Sequence, residues 1–231
     1  MEEIRINKYL SEAGVCSRRE ADRLLAEGRV TVNGKKAETG QKVTGSDRVE
    51  VNGKRVKADT KPVLLAVYKP PGVVCTTDLS EPANIVTYVG WPQRLFPVGR
   101  LDKDSEGLIL MTNQGDLADR IIHARGLHEK EYLVEVDQPV TEEFLEAMRG
   151  GVRILNTKTR PCRAEKVSRY RFRIILTQGL NRQIRRMCEA LGYEVKALCR
   201  ERILNIELDD LRIGEYRKIE GQELEDLLSL L

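Results

Sequence analysis

The chain has 231 residues, of which 41% are hydrophobic and 32% charged, and its formal net charge is +3. This length allows one medium domain or a small domain joined to a larger one. No apolar run is long enough to cross a bilayer, and the first residues lack the apolar stretch of a signal peptide, so we expect no membrane association. The five cysteines are scattered without a Cys-x-x-Cys pair. This usage argues against a zinc site or a disulfide framework and favours reduced thiols in the cytoplasm.

The charge is unevenly distributed along the chain. Residues 1–61 contain 14 Lys and Arg against 10 Asp and Glu, whereas the rest contains 25 against 26. A basic segment attached to a near-neutral body suggests a module that binds a polyanion. An ordinary solvated surface would give the same balance, so charge alone leaves both interpretations open.

Two helices followed by short strands are predicted in the first 60 residues. Apolar spacing indicates one helix over 4–13 and a second over 17–28. Ser17 is positioned to cap the second helix, with Glu20 as its capping-box partner. The strand-like run Val30–Val32 leads into Asn33-Gly34, which is typical of a tight hairpin turn.

Basic side chains cluster on this helical pair, at Arg5, Lys8, Arg18, Arg19 and Arg23. Arg18 and Arg19 precede the apolar stripe of the second helix, so they should face solvent near its N-terminus. Backbone N–H groups at that end of a helix also favour phosphate. An exposed charged helix face without a ligand is the alternative interpretation.

Residues 62–231 are predicted to form a mixed, mainly antiparallel sheet with helices packed on it, an α+β body, because strands outnumber helices and do not alternate with them regularly. The predicted strands are 63–68, 108–112, 130–136, 172–176, 193–198 and 203–208, and the predicted helices are 85–89, 115–122, 141–148, 182–191 and 223–231. Asp59-Thr60-Lys61-Pro62 is polar and contains a proline, which predicts a linker. We therefore expect one domain over 1–60 and another over 62–231.

The loop 99–108 places one arginine and three acids between two apolar runs, a pattern more suited to a site than to a core. Its Asp102 could act as nucleophile, base or electrostatic stabiliser, although a turn role is the common fate of a loop aspartate. Four residues match the first, third, fifth and sixth positions of a calcium-binding loop: Asp102, Asp104, Glu106 and Gly107. Asn113 stands where that loop requires glutamate, and the flanks resemble strands, so a calcium-dependent interaction protein is a weak alternative.

Two further segments carry residues that could bind a nucleic acid. Arg182, Arg185 and Arg186 lie at the start of a predicted helix, where one could pair with Asp102 while the others bind phosphates. Tyr132 lies in a predicted strand, and its ring could stack on a base. A solvated basic helix face and a half-buried core tyrosine are the respective alternatives.

These segments resemble known families when they are taken together. Residues 5–10 (RINKYL), 17–19 (SRR) and 30–34 (VTVNG) resemble the alpha-L RNA-binding module first described in small-subunit ribosomal protein S-four. Residues 99–108 (GRLDKDSEGL), 130–132 (KEY) and 179–187 (GLNRQIRRM) closely resemble the RNA pseudouridine synthases. The combination is similar to the branch of that family that carries an alpha-L module and acts on ribosomal RNA.

The resemblance implies isomerisation of a specific uridine to pseudouridine without a cofactor or metal. By similarity, Asp102 is the catalytic aspartate, Arg185 pairs with it, and Tyr132 stacks on the target base. Asp104 and Glu106 are then expected to be turn and surface residues. Residues expected to contact RNA are Arg5, Lys8, Arg18, Arg19, Arg23, Arg100, Arg182 and Arg186.

The expected partner is structured RNA, namely 23S ribosomal RNA, and we expect a monomer. The same chemistry on small-subunit ribosomal RNA or a tRNA remains an alternative. A non-catalytic RNA-binding ribosome-assembly factor, which would use the alpha-L module alone, is a second alternative, and it would have no need for Asp102.

Overall fold

A computed structural model describes residues 3–57, 61–123 and 127–231. Contacts divide the chain into two units, one of residues 1–63, 91–95 and 113–115, the other of residues 64–90, 96–112 and 116–231. Asp59 and Thr60 of the expected linker lie outside the described residues. Among the described helices, none is both long and apolar enough to span a membrane.

The first unit is built from two helices and short strands. Its elements are β1 (Ile4–Arg5), α1 (Ile6–Glu12), α2 (Arg18–Ala26), β2 (Val30–Val32), β3 (Lys35–Lys36), β4 (Lys42–Val43), β5 (Val49–Val51) and β6 (Lys54–Arg55). The strands β3-β2-β5-β6 form one sheet in that order, and β1 pairs with β4. The first helix therefore begins two residues later than predicted, because Ile4 and Arg5 form a strand that pairs with β4.

Local sequence signals explain the turns of this unit. The Ser17 hydroxyl accepts a hydrogen bond from the Glu20 N–H at 3.1 Å, which confirms the predicted N-cap. The Glu20 carboxylate instead accepts from Arg23, at 2.6 and 3.0 Å. Asn33 and Gly34 both have positive φ, 51° and 80°, as the two-residue turn between β2 and β3 requires.

The second unit contains one large sheet with helices on both faces. Its elements are β7 (Leu64–Lys69), α3 (Ile85–Val89), β8 (Phe96–Val98), β9 (Glu106–Thr112), α4 (Gly115–His123), β10 (Lys130–Val136), α5 (Glu142–Gly150), β11 (Arg153–Ile154), β12 (Thr157–Lys158), β13 (Arg163–Lys166), β14 (Arg171–Leu176), α6 (Gln183–Ala190), β15 (Val195–Ile203), β16 (Ile206–Glu207), β17 (Tyr216–Lys218) and α7 (Gly221–Leu230).

The strand order of the large sheet is β13-β14-β10-β15-β9-β7-β17, with β16 paired to β15 and β8 paired to β9. The pair β15–β9 is parallel, and the other pairs of this sheet are antiparallel. Helices α5 and α6 pack with β10 and β14 around one apolar core, whereas α4 and α7 pack with β7 and β9 around another. The predicted α+β class with a mainly antiparallel sheet is confirmed.

The predicted strands 193–198 and 203–208 correspond to β15 and β16, but their bounds are wrong, because β15 continues through the predicted gap to Ile203 and β16 is limited to Ile206–Glu207. The predicted gap between the two strands contains the charged run Arg200-Glu201-Arg202. In the structure these side chains are matched across the sheet, with Arg202 bonded to Glu131 at 2.8 Å and Glu201 to Arg173 at 3.3 Å. The short strands β13 and β17 escaped prediction because both are charged strands at the ends of the sheet.

Candidate active site

The loop 101–105 is fixed by buried polar contacts. Lys69, the last residue of β7, is fully buried, and its Nζ donates to the Ser105 carbonyl at 2.6 Å. Burial lowers the pKa of this ammonium group. The Gly72 N–H donates to the Lys103 carbonyl at 2.7 Å, so the segment after β7 also binds the loop. The loop is therefore anchored, as a catalytic position requires.

Gly107 follows the loop and allows β9 to approach β15. Its φ is +110°, and a Cβ at this position would lie 2.4 Å from the backbone N and O of Arg200. The Arg200 side chain, only 3% exposed, crosses this junction and donates from Nε to the Leu108 carbonyl at 2.7 Å. Among the described residues, no acceptor lies within hydrogen-bond distance of its buried Nη2. Gly107 thus serves close packing directly behind the loop.

The arginine-rich segment begins α6 in an unusual conformation. Arg182 is the N-cap residue, with φ 48° and ψ 36°, a left-handed backbone that costs a non-glycine residue of order 1–3 kcal/mol. The buried Gln183 stabilises the turn, because its Oε1 accepts from the Leu180 N–H at 3.0 Å. Arg186 binds back to Asn181 through two hydrogen bonds of 3.1 Å.

The loop and α6 meet in a cluster of two carboxylates and two guanidinium groups. Arg182 donates to both carboxylate oxygens of Asp104, at 3.1 and 3.0 Å. Its Nη1 lies 3.7 Å from Oδ2 of Asp102. The hydrogen bond from Arg182 is the main reason that the pKa of Asp104 falls below its ordinary value, with the charge of Arg185 adding to it. Asp104 is therefore part of the cluster and not the plain turn residue expected from the sequence.

Arg185 binds the loop rather than Asp102 itself. Its Nη2 lies 3.3 Å from the Asp104 carbonyl and 3.2 Å from the Ser105 hydroxyl, and its Nη1 donates to the Val195 carbonyl at 3.2 Å. Its Nε is 3.5 Å from Oδ2 of Asp104. The structure thus differs from the expected pairing, because the arginine adjacent to Asp102 is Arg182. The left-handed N-cap directs Arg182 to the tip of the loop, while Arg185, one turn later, reaches its base.

Tyr132 lies on β10, two strands away from β9 in the sheet. It is half-buried, packs against the core formed with α5 and α6, and is opposite Arg200 in the strand register. Lys130 precedes it on the same face of the strand, and burial, together with the charge of Arg200, lowers the pKa of Lys130. The half-buried Tyr132, the half-buried Lys130 and the buried Arg200 therefore occupy one part of this face.

The other residues expected to contact RNA differ in their partners. Arg5, Arg18, Arg19 and Arg100 are exposed. Lys8 forms an ion pair with Glu12 at 3.7 Å, and Arg23 forms one with Glu20 at 2.6 Å. The structure brings Arg182 and Arg185 to the loop of Asp102, whereas the basic residues of α1 and α2 belong to the first unit.

Sequence reasoning missed Lys69, Ser105 and Arg200 as parts of the site. One signal for Lys69 was present, since a lysine directly after a run of six apolar residues and before two prolines lies in a buried context. Arg200 had no signal, because its partner, the Leu108 carbonyl, belongs to the backbone of a distant strand.

The calcium-loop alternative does not fit the geometry. The Asp104 carboxylate is occupied by Arg182, and a guanidinium group at that position repels a cation. Asn113 uses its side-chain amide to bind the Val63 N–H and the Lys61 carbonyl. Within the part of the chain that the structure describes, no group of three or more His, Cys, Asp or Glu side chains is arranged to hold a metal.

Comparison with known proteins defines the class. A family model described as RNA pseudouridylate synthase matches residues 63–190, and one described as S4 domain matches residues 4–49. The dual-specificity RNA pseudouridine synthase RluF of Escherichia coli (strain K12) is 52% identical over 230 residues, covering 99% of this chain and 79% of that protein. The chain therefore belongs to the RNA pseudouridine synthases, enzymes that isomerise uridine in RNA, and carries an N-terminal S4 domain.

Two further relatives agree with this assignment. The ribosomal large subunit pseudouridine synthase B of Bacillus subtilis (strain 168) is 38% identical over 235 residues, covering 98% of this chain and 96% of that protein. A crystal structure of a pseudouridylate synthase superposes with a TM-score of 0.71 at 28% identity, covering 97% of this chain and 99% of that one. The family resemblance of the three motifs is thus confirmed over the whole chain.

Proposed function

We propose that this enzyme converts a uridine of large-subunit ribosomal RNA to pseudouridine, with Asp102 as the catalytic residue. One observation carries the assignment of the residue, namely the position of Asp102 on an anchored loop beside a positive charge. Lys69 and Arg185 donate hydrogen bonds to carbonyl oxygens of this loop, and Nη1 of Arg182 lies 3.7 Å from the Asp102 carboxylate. The name of the relative from Bacillus subtilis supports the substrate class. The motifs at 102–108 and 178–189 further resemble those of the large-subunit enzyme called type F.

The reaction breaks the bond between N1 of the base and C1′ of the ribose and forms one between C5 and C1′. The proton on C5 is lost and N1 gains a proton, so the composition of the RNA does not change. A carboxylate can assist by attacking C1′ or by starting elimination to a glycal. Asp102 is suited to either route, because its side chain is 36% exposed and therefore accessible to a nucleotide.

Tyr132 and the arginines would accept the target nucleotide. Extruding a base from its stack costs a few kcal/mol, and stacking on an aromatic ring returns about 1–3 kcal/mol per base. Tyr132 supplies such a ring beside the half-buried Lys130 and the buried Arg200. Arg100 and Arg186 would bind phosphates, Arg182 would supply positive charge beside Asp102, and Arg185 would keep the loop of Asp102 in place.

The S4 domain would bind structured RNA through the exposed Arg5, Arg18 and Arg19, whereas Lys8 and Arg23 are paired with glutamates. We further propose a monomer, and a cytoplasmic location, which the five free thiols support. Burial raises the pKa of the Cys162 thiol to about 11 and that of Cys188 to about 12, so these thiols resist oxidation.

The test combines in vitro conversion with mapping in cells. Purified enzyme and its Asp102→Asn variant are incubated with large-subunit ribosomal RNA, small-subunit ribosomal RNA and tRNA transcripts, and pseudouridines are mapped by sequence position. We expect one position in the large-subunit RNA to be converted by the wild type alone, while the variant binds that RNA with similar affinity.

The same position should lose its pseudouridine in cells that lack the gene. If only small-subunit RNA or tRNA is converted, the proposed large-subunit substrate is wrong and the converted RNA takes its place. Full activity of Asp102→Asn would remove the assignment of the catalytic residue. RNA binding without conversion of any RNA would favour the assembly-factor alternative.

A further inference from the structure

Asp104 is the residue to which both arginines of the site bind. Its carboxylate accepts two hydrogen bonds from Arg182, at 3.0 and 3.1 Å, and lies 3.5 Å from Nε of Arg185. Its carbonyl oxygen accepts from Nη2 of Arg185 at 3.3 Å. The expected turn function uses none of these contacts, so the carboxylate of Asp104 requires another explanation.

The two aspartates share Arg182 unequally. The paired hydrogen bonds to Asp104 fix the plane of the guanidinium group, since such bidentate contacts add geometric specificity to an ion pair. Asp102 meets only Nη1, at 3.7 Å, beyond ordinary hydrogen-bond distance. Asp102 thus has a neighbouring positive charge while both of its oxygens remain available.

We propose that Asp104 is a positioning residue of the isomerisation: it binds Arg182 bidentately and so leaves the carboxylate of Asp102 free to react. The inference rests on the proposed function of Asp102. Hydrogen bonds to a carboxylate stabilise its charged form and make it a weaker base and nucleophile. Without the carboxylate of Asp104, Arg182 turns its paired N–H groups to Asp102 and occupies the reacting oxygens.

The backbone at Arg182 supports this interpretation. Its left-handed conformation, φ 48°, is costly for arginine and is maintained by the surrounding contacts. Strain of this kind concentrates at functional sites, and here it directs one side chain to both aspartates. Asp104 is half exposed, so its carboxylate is not needed to fill a core, and its replacement should leave the fold intact.

The experiment compares Asp104→Asn with the matched control Glu106→Gln. Glu106 lies two residues further on and lines the groove on the other side of the sheet, so its change also removes one negative charge near the loop. Single-turnover rates at saturating RNA and RNA dissociation constants are measured for both variants, with thermal unfolding as a check of the fold. Asp104→Ser provides a second removal of the carboxylate.

We expect Asp104→Asn to lower the single-turnover rate at least tenfold, with RNA affinity unchanged or tighter because a negative charge is lost near phosphate. Glu106→Gln should stay within twofold of the wild type in both measurements. An Asp104→Asn enzyme with the wild-type rate, or one that loses only affinity, would overturn the proposal.

A double-mutant cycle with Arg182→Gln separates positioning from a direct role. If Asp104 acts through Arg182, the double variant should be no more than twofold slower than Arg182→Gln alone. Multiplicative losses would show that Asp104 acts independently and would also overturn the proposal. The wild type is assayed in parallel, so failure of the proposed function, in which no RNA is converted, is distinguishable from failure of this inference.

Discussion

Arginines lie on both faces of the large sheet, but their partners differ. On one face, Arg171, Arg173 and Arg202 line a groove, and each forms ion pairs with glutamates across the strands. We call this surface the glutamate groove; six of its lining residues are acidic and three are arginines. On the other face, at the start of α6, Arg182 and Arg185 contact the two aspartates of the loop, and Arg186 follows on the same helix.

The strand β10 shows how one sequence supplies both surfaces. Glu131 and Glu135 point to the glutamate groove, while Tyr132 and Val134 point to the core beneath α5 and α6. Alternation along a strand separates the two sets. The excess of acids in the groove repels a polyanion, whereas the excess of arginines beside Asp102 attracts one. We therefore expect RNA to approach the α6 face, and the groove arginines to stabilise the sheet.

We expect the largest difference between the two faces when one arginine of each is replaced, Arg185→Gln on the α6 face and Arg173→Gln in the glutamate groove. Arg185 is 15% exposed and binds the loop of Asp102, so its loss leaves the Ser105 hydroxyl and the Val195 carbonyl without their donor. Displacing a catalytic group by about 1 Å can cost on the order of 100-fold in rate. We expect Arg185→Gln to lower the single-turnover rate about 100-fold or more.

Arg173→Gln is the control for this loss, because it removes an arginine with several carboxylate partners in the glutamate groove. Exposed ion pairs contribute only about 0–1 kcal/mol, so its rate should stay within about twofold. Equal losses in the two variants would remove the functional distinction between the faces.

These arginines also show what the sequence could predict. Asp102, Tyr132 and the arginine segment could be proposed as site residues because the family motifs are local and specific. Which arginine meets which aspartate could not be predicted, since it depends on the left-handed backbone at Arg182 and on where α6 begins. Propensity and spacing place that residue inside a helix, whereas the structure makes it the N-cap.

The same limit applies to charged strands. The predicted strands leave out residues 199–202, and only the pairing of Arg202 with Glu131 and of Glu201 with Arg173 explains why β15 continues through this charged run. The partners of Lys69 could not be predicted, because its acceptors besides the Pro70 carbonyl are the carbonyls of Lys103 and Ser105, more than 30 residues away. Contacts between distant segments, and not local preference, decide these cases.

A smaller effect on the reaction rate is expected when residues on the two faces of β10, Tyr132 and Leu133, are replaced. Tyr132→Ala removes the ring proposed to stack on the target base, a contact worth about 1–3 kcal/mol, so the rate should fall about 5- to 150-fold. Tyr132→Phe keeps the ring and should retain most of the activity. Leu133→Ala changes the neighbouring residue, which faces the glutamate groove, and should affect unfolding more than the rate.

Single-turnover kinetics and thermal unfolding of the three variants provide the measurement. A Tyr132→Phe enzyme as slow as Tyr132→Ala would show that the hydroxyl, and not stacking, is required.

The smallest effect, on RNA affinity, is expected in the S4 domain. There, a single helix carries both exposed arginines and an arginine that is paired with glutamates. Arg18 and Arg19 are exposed at the start of α2, whereas Arg23 binds Glu20 and lies 3.9 Å from Glu27. A phosphate contact releases counterions, so the logarithm of the binding constant falls with the logarithm of salt in proportion to the number of contacts, by about 0.7–0.9 per phosphate.

We expect Arg18→Ala combined with Arg19→Ala to weaken RNA binding about tenfold and to reduce the salt slope by about one to two. Arg23→Ala should leave the slope nearly unchanged, because Glu20 already neutralises this arginine. Binding titrations between 50 and 200 mM salt, roughly the range over which such slopes are resolved, measure both variants. An unchanged slope in the double variant, or an equal reduction for Arg23→Ala, would mean that pairing with carboxylates does not decide which arginines of this protein bind RNA.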